Sequence, residues 1–302
     1  MKIVIAGGTG FVGSQLTALL TDQGHQVFIL TRSPENFTNK PSVTYVGWLN
    51  EKDKPEEVLK DCKAIINLAG ESLFGYWTEE KKKRILDSRI NATKNIIHLI
   101  KSMEKQPEVL VNASAVGYYG TSDEQIFTEK TTHPGDDFLA YVTNEWEKTA
   151  QHAEVLGIRV VYARLGIVLG DNGTLPLMEL PYKYFVGGPI GPGEQWLSWV
   201  HINDVVRLLL FAIEKKQIKG PLNITAPTPV RNKDFSVQLA KLLHRPNIIR
   251  IPSFVIRTVL GEMSMLVVRG QAVLPNKALS YGYSFQYPNL QTALASILIK
   301  HD

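Results

Sequence analysis

The stretch MKIVIAGGTGFVGSQLTALL, residues 1–20, decides the fold. Residues 2–6 form a short β-branched apolar run, and from Val12 onward apolar side chains recur at helical intervals. Between the two, Gly7, Gly10 and Gly13 stand at the spacing GxxGxxG, directly after the strand and opening the helix. That spacing divides three tasks: a tight turn, a close backbone approach to a pyrophosphate, and close helix–sheet packing. The helix then offers free N–H groups and its positive dipole end to the phosphates. Gly7, Thr9, Gly10, Phe11, Val12 and Gly13 are therefore the candidate phosphate-binding residues of a dinucleotide site.

Outward from this loop the alternation continues. QVFILT, AIINLAG, EVLVNAS and RVVYARLG are near-continuously apolar, as strands of a parallel sheet covered on both faces are. Helical periods run from Val12 to Gln23 closed by Gly24, from Thr78 to Lys105 with a break, and from Phe138 to Leu156 closed by Gly157. The class is α/β, a doubly wound parallel sheet of the Rossmann kind with a smaller, mostly helical C-terminal lobe. The predicted division is a nucleotide-binding unit over 1–225, with a substrate-lobe insertion at about 167–200, and a small unit over 226–302. Within it, HINDVVRLLLFAIE is a helix capped by Asn203 or Asp204. GPLNITAP returns as a strand to the main sheet, and YGYSFQYPNLQTALASIL gives a strand and a helix. The Gly/Pro loop 187–196 is expected to border the pocket, with Trp196 and Trp199 as its wall.

The end of the second strand selects the dinucleotide. A site for NAD places Asp or Glu about 20 residues after the loop, to accept from the ribose 2′-OH. This chain has Thr31-Arg32-Ser33, a guanidinium flanked by two hydroxyls, which suits a 2′-phosphate. NADP(H) is the expected cofactor.

Composition narrows the partners. Among 302 residues the net charge is +4 and scattered, which argues against nucleic acid. The one basic run, Lys81 to Arg84, follows Glu79-Glu80 at helical spacing and reads as a solvated face. The single cysteine, Cys62, precedes an apolar run and reads as a packed thiol in a reducing compartment. The N-terminus does not read as a signal peptide, and no apolar stretch approaches the roughly 20 residues of a membrane span. A cytoplasmic protein with a small-molecule substrate, no membrane partner and no metal is expected. Substrate identity and oligomeric state are not readable. His201, before a helix, reads as structural.

With these features the chain resembles an extended short-chain dehydrogenase/reductase, a group that includes sugar-nucleotide epimerases and dehydratases. More narrowly it is similar to the atypical subgroup known as the epimerase family of NAD(P)-binding proteins. GGTGFVG, LAGESL, DSRINATKN, SAVGYYG, FLAYVTNEWE, RLGIVLG, QWLSWVHINDVV, NITAPTPV and LHRP carry that likeness, with the tail LGEMSMLVVRGQAVLPNKAL. The resemblance implies that Leu68, Ala69 and Gly70 pass the cofactor backbone. It puts Ser114, or by a one-residue shift Ala115, at the catalytic serine, and Arg89 where the group usually has asparagine.

The group's Tyr-x-x-x-Lys pair, in which lysine favours the phenolate, is missing: none of the 11 tyrosines has lysine four residues on. Tyr141 has Glu145 instead, and counting from Ser114 sets Leu139 and Thr143 in the pair's slots. Ser114, Tyr118 (with Tyr119 beside it), Arg89 and Glu145 remain as candidate catalytic groups. Two readings stay open: an NADP(H)-dependent oxidoreductase or epimerase with a rewired acid/base, or a non-catalytic NADPH-binding sensor or partner-binding protein.

Overall fold

The structure, a computed structural model, describes residues 1–50 and 52–299. Seven strands form one parallel sheet: β1 (Lys2–Ala6), β2 (Gln26–Thr31), β3 (Val43–Gly47), β4 (Ala64–Asn67), β5 (Val109–Ala115), β6 (Arg159–Leu165) and β7 (Gly220–Ile224). Across the sheet they run β7-β6-β5-β4-β1-β2-β3. The winding reverses between β1 and β4, and a crevice opens outside the carboxyl ends of such a pair.

Four major helices, α1 (Phe11–Asp22), α2 (Glu79–Ser102), α3 (Phe138–Gln151) and α4 (Ile202–Glu214), cover the two faces. Ile3 and Ile5 of β1 share one core with Leu16 and Leu20 of α1 and with Leu208 and Leu209 of α4. Val4 and Ala6 enter the other core, with Ile96 and Ile100 of α2 and Ala150 of α3. Successive side chains thus point to opposite buried faces, which is why the strands read as unbroken apolar runs. A helical region follows, with helices Asn232–Leu243, Ser253–Leu260, Asn276–Ser280 and Leu290–Leu298. Among the described residues no helix is long and apolar enough to cross a membrane.

Several local expectations change. Strand β3 does not stand out in the sequence because it is the sheet edge, and Thr44 and Tyr45 in its middle are only half-buried. Helix α2 is unbroken, and its N-cap is Thr78, whose Oγ1 accepts from the Lys81 N–H. Trp199 does not wall a pocket: it is fully buried, and its Nε1 donates to the Thr228 carbonyl. Loop 187–196 is tied to the segment after residue 248, the Gly191 N–H donating to the Ile251 carbonyl and the Ile251 N–H to that of Pro189. The single thiol, Cys62, is buried, and burial pushes it up to about 11.

The cap of α4 is neither Asn203 nor Asp204 but His201. Its Nδ1 accepts from the Asn203 N–H at 3.0 Å, so the ring proton sits on Nε2, facing Ser296 Oγ at 3.2 Å. Asp204, fully buried, instead accepts from the Tyr283 hydroxyl and from the Gln286 and Tyr287 N–H groups, each at 2.9 Å. Residues 281–288 form no strand: the Gln286 and Tyr287 N–H groups go to this carboxylate, and those of Tyr281, Gly282 and Tyr283 to carbonyls of the preceding turn.

Burial pushes His201 down from 6.5 to about 4. The unfolded chain therefore takes up a proton first, and stability is lost as the pH falls from about 6.5 toward 4. The urea midpoint of the wild type is expected to drop over that window more steeply than that of His201→Asn, whose amide oxygen retains the cap. Parallel pH profiles for the two proteins would remove His201 as the cause.

Candidate functional site

The glycine loop and the turn after β4 meet at the point where the winding reverses. Gly7 has φ +78°, and a Cβ there would lie 2.8 to 3.0 Å from the Leu68 and Ala69 backbone. A Cβ on Gly13 would collide with the Gly7 carbonyl, which lets α1 start close against β1. Gly10 is open, its nearest neighbour being the Gly7 carbonyl at 3.4 Å. As the N-cap of α1 it supplies no side-chain acceptor, so the first-turn N–H groups are left for a ligand. Thr9 is exposed and Val12 half-buried, while the Phe11 ring packs on Gly170 and Gly173, leaving its backbone to face the loop. These residues fit a dinucleotide: an open glycine, an uncapped helix start and no side chain to fill the cradle.

Leu68, Ala69 and Gly70 are held from beneath. The Ala69 N–H donates to Asn67 Oδ1, and Asn67 Nδ2 donates to Asn112 Oδ1 and Thr93 Oγ1 at 2.7 and 3.0 Å. Trp146 Nε1 completes this buried network on Thr93 Oγ1. At the end of β2, Thr31 Oγ1 accepts from the Ser33 N–H, and Arg32 is exposed.

A second cluster lies at the ends of β5 and β6, built on a residue the sequence reading passed over. Glu147, on α3, accepts from Ser114 Oγ at 2.6 Å and from Arg164 Nε and Nη2 at 2.8 Å each. Ser114 and Arg164 are register partners in the sheet. Arg164 and Glu147 are only 3% and 7% exposed, so the pair is buried. Burial alone would lower the Arg164 guanidinium, but its bonds to Glu147 outweigh that and hold it above its usual value. Its Cζ sits 3.4 Å from the Tyr118 ring centroid and 4.8 Å from that of Tyr119.

The remaining candidates are placed as follows. The Tyr118 hydroxyl donates to the Thr132 carbonyl and that of Tyr119 to Asn223 Oδ1, both at 2.7 Å. Glu145 does not join the cluster: it is ion-paired with Lys148 at 2.7 Å on the outer face of α3, and Tyr141 is exposed beside it. Leu139 packs over Gly117, and the Thr143 hydroxyl donates to the Leu139 and Ala140 carbonyls. Arg89 lies flat against Gly70, with Cζ 5.1 Å from the Trp146 ring. The helical phase of α3 separates the two glutamates. Ala140, Thr143, Glu147 and Ala150 share the buried stripe, and Glu145 falls outside it.

The family model of the NAD dependent epimerase/dehydratase family matches residues 3–225, and that of a domain of unknown function (DUF1731) matches 251–297. The epimerase family protein YfhF of Bacillus subtilis (strain 168) is 48% identical, over 99% of this chain and 98% of its own. Epimerase family protein SH2119 of Staphylococcus haemolyticus (strain JCSC1435) is 44% identical, over 98% and 99%. The crystal structure of human epimerase family protein SDR39U1 (isoform 2) with NADPH superimposes with a TM-score of 0.87 at 31% identity, covering 100% of both chains.

The two glutamates make a test. Glu147→Gln leaves Arg164 as an uncompensated buried cation and is expected to cost about 3 kcal/mol or more. Glu145→Gln loses a half-exposed pair and is expected to cost less than about 1 kcal/mol. Urea unfolding of both variants measures the difference, and equal losses would show that the buried pair does not carry this region.

Proposed function

The chain belongs to the NAD dependent epimerase/dehydratase family, and from that premise we propose an NADP(H)-dependent oxidoreductase or epimerase that works without a Tyr-x-x-x-Lys pair. The observation that carries the cofactor choice is the exposed Arg32, between Thr31 and Ser33 at the end of β2, where an NAD site needs a carboxylate. That the human relative's structure contains NADPH supports the same choice. Residues 1–225 are taken as the nucleotide-binding unit, with the insertion at 167–200 and residues 226–302 closing the substrate side. A cytoplasmic setting agrees with the unreactive buried thiol of Cys62.

When bound, the nicotinamide supplies or accepts a hydride. On the protein side the buried Ser114 directs its proton to Glu147 Oε1. Tyr118 donates to a backbone carbonyl, and Glu145 is held by Lys148. A second reading, a non-catalytic NADPH sensor, is favoured by that same engagement of the acid/base candidates with protein partners. Steady-state NADPH oxidation over a library of carbonyl compounds separates the two.

NADPH is expected to bind at least tenfold more tightly than NADH, about 1.4 kcal/mol, and Arg32→Ala to remove most of that preference. Equal wild-type affinities in a calorimetric titration would sink the cofactor assignment.

If turnover is found, Tyr141→Phe is expected to lower it by less than about tenfold, because no lysine supports that phenol. Ser114→Ala is expected to cost more, with NADPH affinity retained. A loss beyond about a hundredfold from Tyr141→Phe alone would restore a tyrosine-based mechanism.

A further inference from the structure

We propose that Arg89 is the receptor for a carboxylate on the substrate, so that the substrate class is a small oxo or hydroxy acid. The proposal rests on reading the crevice as a substrate site beside a bound dinucleotide. It deepens that reading by naming the group the substrate must carry.

The guanidinium is fixed before any ligand arrives. On one side it lies against Gly70, where a Cβ would come within 3.2 Å of Arg89 Cγ and Cζ. On another, the Trp146 ring centroid lies 5.1 Å from Cζ. Nη1 is fully used, donating to the Glu71 carbonyl at 3.1 Å and the Ile85 carbonyl at 2.9 Å. An arginine carries five N–H donors, and those on Nε and Nη2 have no protein acceptor among the described residues. They are not sealed off either. Among the described residues the only sealed, unbonded side-chain atoms are Arg164 Nη1 and Gln238 Oε1.

Among the described residues no carboxylate forms an ion pair with this cation, and the charge of Glu71 acts on it only from a distance. Glu71, whose carbonyl it holds, turns its own carboxylate to Lys81 at 2.6 Å and Arg84 at 3.3 Å. Burial consequently pulls the guanidinium down to about 10, the mark of a cation short of a counter-charge. The edge left open is the Nε–Nη2 side, which presents two parallel N–H groups and matches the two oxygens of a planar carboxylate.

Position supplies the rest. Gly70 ends the segment that borders the glycine loop, and Trp146 is the chain neighbour of Glu147, which holds Ser114. A carboxylate on Arg89 would therefore lie near the carboxyl end of β4, beside the segment that ends in Gly70.

The test uses the full chain saturated with NADPH, with pyruvate and lactate as probes and pyruvamide as the neutral control. The readout is the indole N–H resonance of Trp146, assigned by its loss in Trp146→Phe. Pyruvate or lactate is expected to shift it saturably, and pyruvamide to bind at least about tenfold more weakly. Arg89→Gln is expected to abolish the response while NADPH affinity stays within about twofold, and Arg89→Lys to retain a weakened one.

Equal binding of pyruvate and pyruvamide, no saturable shift with either acid, or preference for inorganic phosphate would overturn the carboxylate assignment. A loss of NADPH affinity in Arg89→Gln would hand the arginine to the cofactor instead. Should Arg89→Gln fail to fold, the wild-type comparison of pyruvate with pyruvamide and the Arg89→Lys variant decide it. Should the wild type bind no NADPH, the cofactor reading alone fails, and the same titration of the unliganded chain still decides the role of Arg89.

Discussion

The buried ion pair between Glu147 and Arg164 is the constraint on which the crevice depends. Removing two charges from water costs several kcal/mol each, and mutual attraction repays that only when the remaining lone pairs and N–H groups are also bonded. Here one carboxylate takes two guanidinium N–H groups and a serine hydroxyl, and the guanidinium, whose Nη1 is left without an acceptor among the described residues, stacks on two tyrosine rings. The pair joins α3 to β6, the serine extends it to β5, and the rings extend it to the turn that follows. Four elements therefore share one register at the carboxyl edge of the sheet.

Much of the fold was legible because it rests on periodicities that burial enforces. A parallel sheet covered on both faces favours apolar residues on both sides of each strand, and β1, β2, β4, β5 and β6 are mostly apolar. Strand β3 escaped because an edge position leaves Thr44 and Tyr45 half in water, which dilutes the signal. The α4 cap escaped for another reason. Asn203 and Asp204 have the right chemistry, but Asp204 is committed to residues 283–287, a tertiary demand that local sequence does not carry.

The site was legible in its backbone parts and less so in its side chains. Glycine spacing reports close approaches directly, and Gly7 and Gly13 sit where such approaches occur. Glu145 drew notice because it follows Tyr141 by four residues, a spacing that matters only if that tyrosine faces the crevice; it is exposed. Two signals pointed to the buried Glu147–Arg164 pair: a glutamate on the apolar stripe of α3 and an arginine inside an otherwise apolar strand. Each is costly alone, and their pairing across 17 residues is what makes both tolerable.

The Asp204 clasp has a consequence for how the chain is made. Its three donors are supplied from 79, 82 and 83 residues further on. During synthesis α4 leaves the ribosome long before the segment that neutralises its buried carboxylate. Until then the helix carries that carboxylate among eight other side chains destined for the core. The same helix shares its core with Ile3 and Ile5 of β1 and with Leu16 and Leu20 of α1, so its docking and the arrival of the clasp are linked.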